Sequence, residues 1–81
     1  MKFRVYTKTN CPYCQMAEEL LKERGLPHRV VNFLEDQEHI LTEIKEVQSW
    51  PTVPMVFLKK NGEASFIGGY TDLCEVLENE R

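Results

Sequence analysis

The chain has 81 residues, 42% hydrophobic and 28% charged, with a formal net charge of −3. That length supports one thin core, since folding at this size removes only about 60% of the extended surface from water, so a single domain over residues 1–81 is expected. The apolar content excludes a disordered chain and the acidic surplus argues against a nucleic-acid partner; the longest apolar run, Met55 to Leu58, falls far short of the roughly 20 residues of a membrane span.

Lys2 to Thr7 alternates Phe3 and Val5 with Arg4 and Tyr6 and predicts a strand. No apolar signal segment opens the chain, so a cytoplasmic protein is expected. Asn10-Cys11-Pro12 then starts a helix, because proline has no N–H to lose at the first helical position, and this places Cys11 at the N-cap. Met16, Ala17, Leu20 and Leu21 form its apolar stripe, and Gly25 ends it. His28 to Phe33 predicts a second strand, parallel to the first through a right-handed crossover. Asp36 is placed to cap a second helix with Ile40, Leu41, Ile44 and Val47 inward, stopped at Trp50-Pro51. Met55 to Lys59 and Ala64 to Ile67 read as strands joined by an Asn61-Gly62 hairpin turn. Gly68-Gly69 breaks the last strand, and Thr71 or Asp72 caps a final helix with Leu73, Val76 and Leu77 inward. The order β-α-β-α-β-β-α implies an α/β fold: a four-stranded mixed sheet with three helices on its two faces.

The chemistry-bearing residues are the cysteines: Cys11, Cys14 and Cys74. An odd count without a signal segment argues against a secreted disulfide scaffold. A bridge between Cys11 and Cys14 would close too short a loop to be a useful staple, restraining the unfolded chain by only about 2 kcal/mol. Zinc is the rival reading of a C-x-x-C pair. His28 suits it in spacing, but ten residues separate His28 from His39 where such sites want about 3–5, and no second C-x-x-C exists.

A cysteine at a helix N-cap faces unpaired backbone N–H groups and the positive end of the helix dipole, and both favour thiolate over thiol. The Cys14 thiol one turn on, and Lys8 three residues upstream, act in the same direction. Reactive cysteines of this kind titrate between roughly 3.5 and 7.5, against about 8.5 unperturbed. A pKa near 5 would raise the thiolate fraction at neutral pH about 30-fold and weaken the nucleophile about 40-fold, so the attack rate scarcely changes. The gain lies in leaving-group ability, which suits a catalyst that accepts a thiol adduct and then releases it. Cys74 falls at an inward spacing beside Leu77 and reads as a buried, inert thiol.

Cys11-Pro12-Tyr13-Cys14, Thr52-Val53-Pro54 and Gly68-Gly69-Tyr70-Thr71-Asp72-Leu73, in that order over almost the whole chain, resemble the dithiol glutaredoxins. The resemblance implies a thioredoxin-like fold and a glutathione-dependent thiol–disulfide oxidoreductase that reduces protein disulfides and glutathione mixed disulfides. Cys11 and Cys14 would be the catalytic pair, with a potential of roughly −200 to −230 mV. It further implies a cis Val53–Pro54 bond that brings Val53 beside the Cys11 sulfur. Glutathione, a co-substrate rather than a tightly bound cofactor, would lie against Lys8, Tyr13, Thr52, Val53, Pro54, Gly69, Thr71 and Asp72, with no metal. In that picture backbone N–H groups of Thr71 and Asp72 hold the γ-glutamyl carboxylate, the Asp72 carboxylate takes the ammonium, and Lys8 lies near the glycyl carboxylate.

Disulfide-containing or glutathionylated proteins, ribonucleotide reductase among the candidates, would be partners of a monomer. The chain departs from the family at Pro51, where many members carry a charged residue, and at Asn32, where many carry aspartate. Trp50 reads equally as core or as an exposed docking aromatic. Three other readings stay open: a carrier reduced by a flavoenzyme, a module holding a [2Fe–2S] centre between two protomers through Cys11 and glutathione, and a redox-dead interaction domain.

Overall fold

Eight elements make up the computed structural model, which describes residues 2–79. They are β1 (Lys2–Lys8), α1 (Pro12–Glu23), β2 (His28–Phe33), a 3-10 turn (Glu35–Gln37), α2 (Glu38–Gln48), β3 (Met55–Lys60), β4 (Glu63–Gly68) and α3 (Tyr70–Asn79). The sheet order is β2-β1-β3-β4: β1 pairs parallel with β2, and β3 pairs antiparallel with both β1 and β4. This is the mixed α/β architecture that the motif order implied.

Alternation along the strands divides the core in two. Phe3 and Val5 of β1 and Val56 of β3 face one side, where Ala17 and Leu21 of α1 and Leu73 and Leu77 of α3 cover them. Tyr6, Phe33, Met55, Phe57 and Phe66 face the other side, where Leu41 and Ile44 of α2 pack on them. The first layer is closed by two helices and the second by one.

Local chemistry sets the boundaries. The α1 terminus forms a Schellman motif: Gly25, at φ +64, donates its N–H to Lys22 O, and Leu26 donates to Leu21 O. Asn61 and Gly62 both have positive φ, as a two-residue hairpin with the sheet's right-handed twist requires.

Four expectations are corrected. Asp36 does not cap α2. Gln37 and Leu34 exchange two hydrogen bonds, Gln37 N–H to Leu34 O at 2.9 Å and Leu34 N–H to Gln37 Oε1 at 3.1 Å, which close a 3-10 turn and start the helix at Glu38. The inward face of α2 is Leu41, Ile44, Lys45 and Gln48, so Ile40 and Val47 fall on its flanks, with Val47 79% exposed. In α1 the buried stripe is Cys14, Ala17 and Leu21, which turns Met16 outward. Finally, α3 begins at Tyr70, ahead of both expected caps, because Asp72 acts from inside the first turn: its Oδ2 accepts the Gly69 N–H at 2.9 Å, while Leu73 N–H donates to Gly69 O at 3.0 Å.

Candidate active site

The turn after β1 and the first residue of α1 set the reactive sulfur. Asn10 adopts a left-handed conformation, φ 58, and reverses the chain at the C-terminal end of the sheet. Cys11 follows in extended geometry as the N-cap of α1, with Pro12 opening the helix. The Cys14 N–H donates to the Cys11 sulfur at 3.2 Å. A sulfur thus occupies the place usually held by a serine or aspartate oxygen, where the helix presents unpaired N–H groups and its positive pole. Cys11 and Cys14 are joined by a disulfide. Cys14 is buried and Cys11 half-buried, so only the N-terminal sulfur of the pair is open to a partner.

The Val53–Pro54 bond is cis, and the Val53 carbonyl oxygen lies 3.9 Å from Cys11 Sγ. From this point a groove of about 320 Å³ runs to the first turn of α3. Tyr13, Val53 and Pro54 form its end near the sulfur, and Gly69, Thr71 and Asp72 its far end. The N–H groups of Tyr70, Thr71 and Asp72 are the first three of α3, positions that have no intrahelical acceptor. Gly68 makes this end possible: at φ +128 a side chain is strained, and a Cβ there would lie 2.6 Å from Asp72 Cγ. The Asp72 carboxylate is therefore pressed against bare backbone, with one oxygen held by Gly69 and the other without a hydrogen-bond partner among the described residues.

Of the residues expected to line a glutathione site, Tyr13, Thr52, Val53, Pro54, Gly69, Thr71 and Asp72 converge on this groove. Lys8 lies apart and lines a neighbouring cavity of about 210 Å³ with Thr9, Asn10, Phe33 and Glu38. Two further residues belong to the groove. Tyr70 stands beside Tyr13, ring centroids 6.2 Å apart, and its phenol is held above its ordinary value of 10.0, first by a hydrogen bond with the Cys74 side chain. Trp50 forms a side wall: its indole crosses Phe66 edge-on at 5.3 Å and passes close to Gly69. The two readings of Trp50 from sequence thus combine, since one half packs in the α2-side core and the other faces the groove. A tryptophan directly before Pro51-Thr52 was the only sequence signal for that wall. Asn32 also gains a role, its Oδ1 accepting a hydrogen bond at 2.9 Å from the buried Thr7 hydroxyl across β1 and β2.

Comparison with known proteins agrees with this geometry. The family model described as Glutaredoxin matches residues 4–63. A glutaredoxin-1 of Rhizophagus irregularis is 34% identical over 77 residues, which cover 93% of this chain and 72% of that protein. An uncharacterised monothiol glutaredoxin of Synechocystis is 35% identical over 69 residues, covering 85% of this chain; the chain spans only 60% of that relative's length. Among solved structures, a buckwheat glutaredoxin–glutathione complex superposes with a TM-score of 0.79 at 25% identity, over 96% of this chain and 69% of that one.

Proposed function

The chain belongs to the glutaredoxin family, and on that premise we propose that it is a glutathione-dependent thiol–disulfide oxidoreductase working through Cys11 and Cys14. The observation that carries the reading is the continuity of the N-cap sulfur of Cys11 with a groove that ends on free N–H groups and a carboxylate. A γ-glutamyl group carries one carboxylate and one ammonium. The first turn of α3 offers N–H donors to the carboxylate and the Asp72 oxygen to the ammonium, at the far end of a groove whose near end is the reactive sulfur. The buckwheat complex supports the same occupant.

The cycle conserves electrons at each step. The Cys11 thiolate attacks one sulfur of a substrate disulfide, forming a mixed disulfide and expelling the other sulfur as a thiolate, which takes up a proton. With a protein disulfide, Cys14 loses its proton and attacks Cys11 Sγ, releasing the reduced substrate and forming the Cys11–Cys14 bond. One glutathione thiolate then attacks Cys11 Sγ and frees Cys14. A second attacks the bound glutathione sulfur, releasing oxidised glutathione and the Cys11 thiolate. With a glutathionylated substrate, Cys11 takes the glutathionyl group directly and Cys14 is dispensable. The Cys14 N–H helps the sulfur leave, since it donates to the negative charge that develops there.

The proposed setting is the cytoplasm, the proposed state a monomer, and the proposed macromolecular substrates are protein disulfides such as that of ribonucleotide reductase. The test is a glutathione-coupled turnover assay on two substrates. Cys11→Ser abolishes reduction of both a protein disulfide and a glutathionylated peptide, whereas Cys14→Ser retains only the second. Equal loss in both variants contradicts the assignment.

A further inference from the structure

At the opposite end of the sheet from the dithiol, the face that carries Tyr6 and Phe57 runs out from under α2. Register places Lys2 beside Lys59, and Arg4 between Arg29 and Phe57. Arg4, Arg29 and Lys59 line one cavity of about 250 Å³ together with Lys2, and all four side chains are exposed. Arg4 and Lys59 also line a second cavity of about 190 Å³, floored by Tyr6, Phe57 and Ala64. Tyr6 and Phe57 continue into a third, of about 400 Å³, walled by Ile44 and the exposed Val47 of α2. The three form one trough, apolar under α2 and cationic at the start of β1. Among the described residues, no acidic side chain lines either cationic cavity. Glu63 is on the other face of the sheet, since it pairs with Lys60 while Lys59 pairs with Ala64. Among the described residues, the one carboxylate on the trough is Glu43, at its apolar end.

In a chain with a net charge of −3, four cations gathered on one half-covered sheet face with an aromatic floor form a feature that the dithiol chemistry does not use. We propose that this trough docks an acidic polypeptide segment of a partner protein. A large apolar side chain of that segment would lie over Tyr6 and Phe57, and its carboxylates would run toward Arg4, Lys59, Arg29 and Lys2. Charge fixes the direction, because carboxylates placed the other way would meet Glu43. Arg4 lies roughly 13 Å from Lys8 at about 3.3 Å per strand residue, so a partner held here leaves the groove by Cys11 open. A polypeptide is favoured over a nucleic acid because the basic patch is short and the rest of the molecule repels a polyanion. The inference goes beyond the dithiol reading and stands or falls separately from it.

The probe is a fluorescent peptide of one phenylalanine followed by four glutamates, titrated by anisotropy against the full chain. Binding is expected to tighten as salt is lowered and the charges are less screened. R4E/K59E is expected to weaken it about tenfold, and R4Q/K59Q by a smaller factor. Circular dichroism and glutathione-coupled turnover of a small disulfide should be unchanged in both variants. The proposal is overturned if the wild-type chain does not bind the peptide, if both variants bind as wild type, or if a peptide with lysine in place of glutamate binds equally. It is also overturned if a single-stranded oligonucleotide of equal charge binds more tightly.

Discussion

At the scale of single residues, the groove is shaped by positions whose side chains meet backbone. Gly68→Ala puts a Cβ onto the Asp72 carboxyl group at a backbone angle that side chains avoid. It should cost about 2–3 kcal/mol in urea unfolding and raise the KM for glutathione. Combined with Asp72→Ala the loss should be less than additive, because the second change removes the group that the new methyl strikes. Trp50 has the opposite problem: its indole N–H is buried without a hydrogen-bond partner among the described residues. Trp50→Phe keeps the edge-on contact with Phe66 and removes that unmet donor, so its stability should stay within about 1 kcal/mol of wild type. Trp50→Ala should lose about 2–4 kcal/mol and weaken glutathione binding as well. Tyr70 gives a pH signature. Its raised phenol pKa means that the folded chain holds this proton more tightly than the unfolded one. The resulting stability is fully present below about pH 10 and lost as pH rises through the raised value. Urea midpoints of wild type and Tyr70→Phe should therefore keep a constant difference up to about pH 9 and converge above it.

At the scale of elements, the α1 start was legible because proline, cysteine spacing and capping chemistry all point to one residue. The Asn61-Gly62 hairpin was equally so, since both residues tolerate the positive φ they adopt. The second and third helices were harder to read for separate reasons. In α3 an aspartate that caps from N3 looks in sequence like one that caps from outside the helix. In α2, four apolar residues occur at helical spacing, but the covered stripe passes through Lys45 and Gln48, whose aliphatic stems share it with Leu41 and Ile44. Apolar periodicity marks a helix reliably; it does not say how far that helix is rotated. The end of α2 also carries a local cost. Ser49 sits at φ 52 while its N–H and that of Trp50 close the last turn on Glu46 O and Lys45 O. Glycine takes this conformation without a Cβ penalty, so Ser49→Gly should stabilise the chain by about 0.5–1 kcal/mol. An unchanged or lowered denaturant midpoint would contradict that.

At the scale of the whole molecule, the two sheet faces are unequally built. One is sealed by α1 and α3, which together bury Cys14, Ala17, Leu21, Leu73 and Leu77; the other carries α2, which buries Leu41 alone. That asymmetry could not be read from the sequence, because α2 carries four apolar residues at helical spacing and only the packing decides how many are used. It has a dynamic consequence. Helices with few buried contacts open at lower free energy than the strands beneath them. The amides of α2 should exchange hydrogen through a local opening, ahead of those in β1, β3, α1 and α3. The end of α2 leads directly into Trp50, which both packs against Phe66 and walls the groove beside Gly69. Opening α2 therefore loosens that wall, and a molecule seated in the groove must oppose the opening, since it binds only the closed form. A glutathionyl group held on Cys11 and seated in the groove should slow exchange in α2 more than in α1, although α1 carries the cysteines. Native-state hydrogen exchange on Cys14→Ser, glutathionylated at Cys11 and compared with its free form, measures this. Protection gained only in α1 and α3 would show that Trp50 does not connect the groove to the helix.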